Sequence, residues 1–123
     1  GMEVNMETPG SIDHDGSLLD YCRLHDITLQ AWSPFQMPAW KGCFLGSDEY
    51  PELNQKLHVL AEKYNVSDTT IAAAWLLRHP ANMQIITGTA SESRLKEIIA
   101  ACEITLTREE WYELYLAAGH PLP

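Results

Sequence analysis

Hydrophobic positions along the chain recur mainly at the three- and four-residue spacing of amphipathic helices. In one such segment Leu95, Ile98, Ile99 and Cys102 fall on one side and are predicted to form a buried face. The pattern as a whole predicts five helices, over residues 17–25, 53–64, 67–79, 91–102 and 107–118.

The predicted helix ends carry residues that can satisfy free backbone groups. Ser17 and Ser91 each precede an apolar stripe and are candidate N-caps. Thr107 and Glu110 have the spacing of a capping box, in which each side chain bonds the backbone N–H of the other. Gly119 follows the last apolar residue, where a glycine commonly closes a helix.

Two short segments, 27–32 and 83–87, are rich in β-forming residues and predict strands. Between the first strand and the next helix, residues 35–51 carry several prolines and glycines and predict a long loop. Strands separated by helices are expected to pair in parallel, and two parallel strands alone do not make a stable sheet. Either the strand predictions are wrong and the chain is mostly helical, or it is part of a larger parallel barrel.

Charge and cysteine content narrow the classes of partner and compartment. The chain has 8 Lys and Arg against 17 Asp and Glu, a formal net charge of −9, and its cations are scattered, so nucleic acid is not an expected partner. Three cysteines without a C-x-x-C pair favour a reducing, cytoplasmic setting. No apolar run approaches the roughly 18 residues of a membrane helix, and no signal pattern opens the chain. The five histidines lack metal-ligand spacing, so no metal site is predicted.

Residues 85–95 combine a strand end, a turn of small residues and a helix start. Backbone N–H groups in such a turn, together with the positive end of the helix, can bind a phosphate. Arg94 lies in the first helical turn and can offer its guanidinium to a second phosphate. The same residues also fit an ordinary capped turn beside a solvated arginine, and spacing alone favours that second interpretation.

The positions of three tryptophans in the predicted elements indicate their roles. Trp32 closes the first strand, where parallel α/β proteins bind their ligands. Its indole could stack on a flat ring, or it could be a core tryptophan at a strand end. Trp75 and Trp111 lie in apolar helical stripes and are predicted to belong to the core.

Several segments, taken in order, resemble the aldo-keto reductase family. Residues 31–35 (Ala-Trp-Ser-Pro-Phe) and 85–89 (Ile-Ile-Thr-Gly-Thr) are similar to the ends of the family's seventh and eighth strands, and Arg94 and Leu95 follow as in the family. Residues 61–64 and 72–80 are similar to the connection between those strands, and 106–111 to the final helix. The resemblance covers nearly all of the chain and is greatest to bacterial YdhF-like oxidoreductases.

The resemblance implies an α/β fold in which residues 1–123 are the C-terminal portion of a (β/α)8 TIM barrel, with about two parallel strands and five helices. It also implies an enzyme that binds NADP(H) and transfers hydride between NADPH and a small aldehyde or ketone. The family's catalytic Asp, Tyr, Lys and His act from earlier strands, so no catalytic residue is assigned in this chain and the chain alone is expected to be inactive.

Cofactor-binding residues follow from the resemblance position by position. Trp32 takes the place of the aromatic residue that stacks on the nicotinamide, and Arg94 that of the arginine that binds the ribose 2′-phosphate. Many members have Pro-Lys where this chain has Thr87 and Gly88, and asparagine at Ile98, so the preference for NADPH over NADH stays open. The implied cofactor-binding residues are Trp32, Ser33, Phe35, Thr87, Gly88, Thr89, Arg94 and Glu97.

Two other functions remain as alternatives. The chain could belong to a barrel that binds the nucleotide without catalysing a reaction. It could also be a helical module that self-associates through exposed strand edges. Under the reductase interpretation, the loop over 35–51 is expected to fold over the cofactor, with Trp40 and Phe44 on the substrate side.

Overall fold

The computed structural model describes residues 16–37 and 41–122. This part of the chain forms five α-helices and two β-strands, as predicted. A single turn of 3₁₀ helix, Ala101–Glu103, follows the fourth α-helix. The elements are, in chain order, α1 Ser17–Leu24, β1 Gln30–Trp32, α2 Pro51–Tyr64, α3 Asp68–Leu77, β2 Gln84–Ile86, α4 Glu92–Ala100 and α5 Arg108–Ala117.

The two strands pair in parallel, which confirms the prediction and excludes the interpretation that the strand assignments are wrong. Ala31 lies opposite Ile85, and Trp32 lies opposite Ile86. Both strands are shorter than predicted. Ile27 lies outside β1 because its N–H bonds the carbonyl of Cys22 at 2.8 Å and so closes the end of α1 instead of joining the sheet.

The core lies mainly between α2, α3 and α5. Leu57 of α2 and Ile71 of α3 are 1% and 0% exposed, and Leu114 of α5 packs in the same cluster. The next three residues of α3, Ala72, Ala73 and Ala74, are all buried, so small side chains allow close approach of neighbouring elements around this helix. The sheet and the loop after β1 pack against this layer of helices.

Two of the predicted caps are confirmed. In the capping box of α5, Glu110 Oε2 accepts the Thr107 N–H at 2.7 Å, and Thr107 Oγ1 accepts the Glu110 N–H at 3.2 Å. After α5, Gly119 takes a φ of 88° and donates its N–H to the carbonyl of Leu116. Side-chain capping and a left-handed glycine therefore fix both ends of the last helix.

Of the two predicted serine caps, Ser17 is wrong and Ser91 is confirmed in position only. Ser17 is the first residue of α1, and the N-cap is Gly16, which has a φ of 76°. Ser91 occupies the N-cap position of α4 but its side chain makes no capping bond, because its hydroxyl lies 2.9 Å from that of Ser93. The start of each of these two helices is therefore predictable to within one residue, but the atoms that satisfy its first N–H groups are not.

The predicted buried face of α4 is largely wrong. Only Ile98 is buried, whereas Leu95 is 38% exposed and Ile99 is 59% exposed. Cys102, in the following 3₁₀ turn, is also exposed. Among the described residues α4 packs mainly on α3, so only one side of it is covered. Across residues 16–37 and 41–122, no helix has the length and apolar character needed to cross a membrane.

Candidate functional site

The carboxyl ends of β1 and β2 meet at one edge of the sheet. Because Trp32 pairs with Ile86 in a parallel register, the segments that begin with Ser33 and Thr87 leave the sheet side by side. Ligands of parallel α/β proteins bind at this edge, where strand ends and helix N-termini converge. The structure therefore brings together the two segments that contain the predicted cofactor-binding residues.

Trp32 and Ser33 shape the end of the first strand. Trp32 is 42% exposed and lies outside the core cluster, so its interpretation as a core tryptophan is not supported. Ser33 has a φ of 48°, a left-handed conformation that turns the chain sharply after the strand. Its carbonyl accepts the N–H of Gln36 at 3.0 Å, which closes this turn.

The chain after Ser33 folds back on itself as a small antiparallel hairpin. Gln36 and Cys43 form a β-bridge, and the N–H of Phe44 donates to the carbonyl of Phe35 at 3.0 Å. The rings of Phe35 and Phe44 are 6.2 Å apart, edge to face, and both pack against the core. The proposed substrate contact of Phe44 stays a prediction, and Trp40 lies outside the described residues.

The loop between this hairpin and α2 is held by one side chain that sequence reasoning missed. Asn54, in the first turns of α2, donates from Nδ2 toward the carbonyls of Phe44, Ser47 and Tyr50 at 2.9, 3.1 and 2.9 Å. Its Oδ1 accepts the Gly46 N–H at 2.7 Å. The only sequence signal is an asparagine next to Leu53 of the apolar stripe, shortly after a glycine-containing loop.

On the second strand, the turn into α4 has room for a ligand close to its backbone. A side-chain carbon added at Gly88 would meet nothing within 4 Å. Thr89 Oγ1 accepts the Ser91 N–H at 3.1 Å, and this bond orders the turn before the helix begins. The positive end of the α4 dipole is therefore presented at the same edge of the sheet as Thr87.

Arg94 and Glu97 both lie on α4, one turn apart. Arg94 is exposed, and it forms no ion pair within the part of the chain that the structure describes. Glu97 is half-buried, and its carbonyl accepts the buried Thr70 hydroxyl at 2.8 Å. That bond ties α4 to the start of α3, so the helix that carries Arg94 is fixed while the guanidinium remains available to an anion.

Two tyrosines of the described region are engaged away from this edge. The Tyr64 hydroxyl donates to Glu110 Oε2 at 2.7 Å, and this hydrogen bond raises the pKa of Tyr64. Tyr21 lies on α1, with its ring 4.3 Å from that of His25. Across residues 16–37 and 41–122 the structure gathers no three His, Cys, Asp or Glu side chains that could hold a metal ion.

Comparison with known proteins gives consistent matches over most of the chain. The model of the aldo/keto reductase family matches residues 3–115. A 6-dehydroglucose reductase of Agrobacterium fabrum is 33% identical over 100 residues, covering 81% of this chain and 32% of that protein. Oxidoreductase YdhF of Escherichia coli is 30% identical over 84 residues, covering 67% of this chain and 28% of that protein.

The fold also matches a solved structure. A thermostable aldo-keto reductase in complex with the inhibitor epalrestat superimposes with a TM-score of 0.65 at 27% identity. The match covers 86% of this chain and 36% of that one. The chain thus spans about a third of the length of the proteins it matches.

Proposed function

We propose, since this chain belongs to the aldo/keto reductase family, that it forms the NADP(H)-binding end of a reductase barrel. The proposed reaction transfers hydride between the cofactor and a small aldehyde or ketone. The proposed cofactor contacts are Trp32, Ser33 and Phe35 after β1, and Thr87, Gly88, Thr89, Arg94 and Glu97 after β2.

The observation that carries this proposal is the parallel register of the two strands. It places an exposed indole at the end of β1 beside an open turn and a helix N-terminus at the end of β2. An extended dinucleotide needs a flat surface at one end and a phosphate-binding element at the other. Trp32 and the turn that contains Gly88 offer these two features at one edge of the sheet.

The residues present fit a nicotinamide dinucleotide in charge as well as shape. The Arg94 guanidinium can bind a phosphate in bidentate fashion, and the N–H groups at the start of α4 can bind another. When bound, the cofactor supplies the hydride. The proposed tasks of this chain are to orient the nicotinamide through Trp32 and to hold the phosphates through the α4 N-terminus and Arg94.

Proton donation to the carbonyl is proposed to come from other strands of the barrel. The Tyr64 hydroxyl is hydrogen-bonded to Glu110 between α2 and α5, and Tyr21 lies on α1. Neither tyrosine is therefore placed at the carboxyl edge of the sheet. The resemblance assigns the proton donor to an earlier strand of the family's barrel. Reduction is accordingly proposed as an activity of the whole barrel.

Calorimetric titration of the chain with NADPH and NADH tests the proposed cofactor site. NADPH is expected to bind more tightly, and Arg94→Ala is expected to weaken NADPH binding about tenfold or more, since a charge-assisted contact to a phosphate is lost. Lys96→Ala is the matched control, because Lys96 lies on the same helix but pairs with Glu92 at 2.7 Å. Equal loss in both variants, or no binding by a folded sample, would contradict the proposed site.

A self-association module is the second candidate, and one observation favours it. Large apolar side chains are exposed on two helices: Leu24 of α1 is 78% exposed and Ile99 of α4 is 59% exposed. Surfaces of this kind mark protein–protein contacts when they are contiguous. A barrel that binds the nucleotide without catalysis would also bind NADPH in the calorimetric titration. It would be identified if the whole barrel did not turn over an aldehyde.

A further inference from the structure

We infer that Asn54 is a positioning residue for the proposed cofactor site. Its side chain holds the loop over residues 44–50, here called the latch loop, and through it the backbone at 33–35. This inference rests on the proposed function, because it assigns a purpose to the position of that backbone. Asn54 itself lies on α2, outside the segments that would touch the cofactor.

Both the oxygen and the nitrogen of the Asn54 side-chain amide form hydrogen bonds, and this fixes the orientation of the amide group. Oδ1 accepts the N–H of Gly46 at 2.7 Å, so Nδ2 must face the carbonyls of Phe44, Ser47 and Tyr50. An NH₂ group has two hydrogens, so at least one of these is shared between two carbonyls. Aspartate would keep the bond to Gly46 but present an oxygen to three carbonyl oxygens.

Hydrogen bonds of the main chain carry this constraint to the strand end. Phe44, whose carbonyl faces Asn54, donates its N–H to the carbonyl of Phe35 at 3.0 Å. Gln36, the next residue, donates to the carbonyl of Ser33 at 3.0 Å. One residue, Phe44, therefore separates the Asn54 side chain from the proposed cofactor contacts Ser33 and Phe35.

The anchor itself is rigid. Asn54 lies one turn before Leu57, which is 1% exposed in the core, so α2 cannot shift without disturbing the packing of α2 against α3. The latch loop, by contrast, contains Gly46 in a left-handed conformation with a φ of 74° and open space around it. A rigid helix thus holds a loop that would otherwise move, and loss of this anchor should loosen the backbone at 33–35.

Hydrogen exchange and ligand kinetics test the inference on the full 123-residue chain. Asn54→Ala and Asn54→Asp are each expected to raise amide exchange in residues 42–50 about tenfold or more, since one or more net hydrogen bonds are lost. NADPH should dissociate faster by a similar factor. Gln55→Ala, at the exposed neighbouring position of α2, is the matched control and should change neither rate.

The outcomes separate this inference from the proposed cofactor site. Unchanged exchange in residues 42–50 of both Asn54 variants would overturn the latch, whatever the chain binds. Faster exchange with an unaltered NADPH dissociation rate would overturn its positioning role while leaving the cofactor site intact. If the unmodified chain binds no NADPH, the proposed function fails and with it the positioning role, although the exchange experiment still reports on the latch. Circular dichroism must show that each variant keeps its helices.

Discussion

Glu110 is a nearly buried carboxylate that joins α2 to α5. It accepts hydrogen bonds from Lys63 Nζ at 2.6 Å, from the Tyr64 hydroxyl at 2.7 Å and from the Thr107 N–H at 2.7 Å. Burial by itself would raise the pKa of Glu110. The hydrogen bonds outweigh burial and lower that pKa to about 2, so the carboxylate stays ionised in mild acid.

The depressed pKa of Glu110 predicts a loss of stability in acid. A folded-state pKa of about 2 against an ordinary value of 4.5 stabilises the fold above pH 4.5, and the effect disappears as pH falls toward 2. The shift corresponds to at most about 3 kcal/mol. Glu110→Gln should therefore lower the free energy of unfolding at pH 7 by about 2–3 kcal/mol and flatten its decline between pH 4.5 and 2. Urea denaturation over this pH range measures both effects.

Glu113→Gln is the control for that experiment. Glu113 lies on the same helix and pairs with Lys56 at 2.9 Å, but its side chain is 50% exposed. Exposed ion pairs contribute little because water screens them, so this variant should cost less than about 1 kcal/mol at pH 7. An acid-dependent decline in Glu110→Gln as steep as in the unmodified chain would assign the pH dependence to another group.

Individual residues were predictable where their role is local. The capping box of Thr107 and Glu110 depends on a three-residue spacing, and the structure contains it. The remaining bonds of Glu110 could not be predicted, since Lys63 is 47 positions away in the sequence. Asn54 was missed because its partners are backbone carbonyl and N–H groups, which every residue in the loop possesses. The cofactor contact of Arg94 remains a prediction.

At the scale of elements, two tryptophans join α3 to α5. Trp75 and Trp111 stack with ring centroids 4.6 Å apart and 7° between their planes. Each indole N–H donates to the backbone carbonyl of the other residue at 3.0 Å. This reciprocal arrangement satisfies both polar N–H groups while the rings remain half-buried, so α5 is held by stacking and hydrogen bonding together.

Stacking between these rings predicts energetic coupling of the two residues. Trp75→Leu and Trp111→Leu should each lower the free energy of unfolding by about 2–4 kcal/mol, because each loses ring contacts and an indole N–H. The double variant should lose about 1 kcal/mol less than the sum. Urea denaturation of the four proteins measures this coupling. Strict additivity within error would count against the stack as a stabilising contact.

Trp111→Leu combined with Ile99→Ala is the additive reference for this cycle. Ile99 lies on α4, which packs mainly on α3 and not on α5, is 59% exposed, and is outside the core cluster of the described residues. Their effects should therefore add within about 0.5 kcal/mol.

Sequence periodicity predicted which elements form, but it overestimated the extent of most of them, whereas α2 begins two residues earlier than predicted, at Pro51. All five helices and both strands are present. β1 is shorter than predicted because Ile27 uses its N–H at the end of α1. Periodicity also cannot tell which apolar face finds a partner, and Ile99 of α4 is 59% exposed for this reason. The parallel pairing was predictable because helices separate the two strands.

At the scale of the whole molecule, large apolar side chains are exposed on several elements of the described fold. Leu24 of α1 and Ile99 of α4 are among them, and so are Trp32 and Ile86, which lie opposite each other in the sheet. In residues 16–37 and 41–122 the sheet contains only β1 and β2, so each strand has one edge without a neighbouring strand. A sheet with open edges, together with exposed apolar side chains, favours association.

These surfaces predict that the 123-residue chain self-associates when it is studied alone. Sedimentation velocity should show a weight-average mass that rises with concentration, since burial of apolar area drives association. Leu24→Lys combined with Ile99→Lys should shift the chain toward monomer, because charged residues at the contact must lose their hydration. Gln55→Lys combined with Thr105→Lys adds the same two charges at exposed polar positions and should leave the mass profile unchanged. If the chain is instead monomeric and cooperatively folded at all concentrations, these apolar faces are too small to drive association. The exposed apolar side chains would then no longer favour a self-association module.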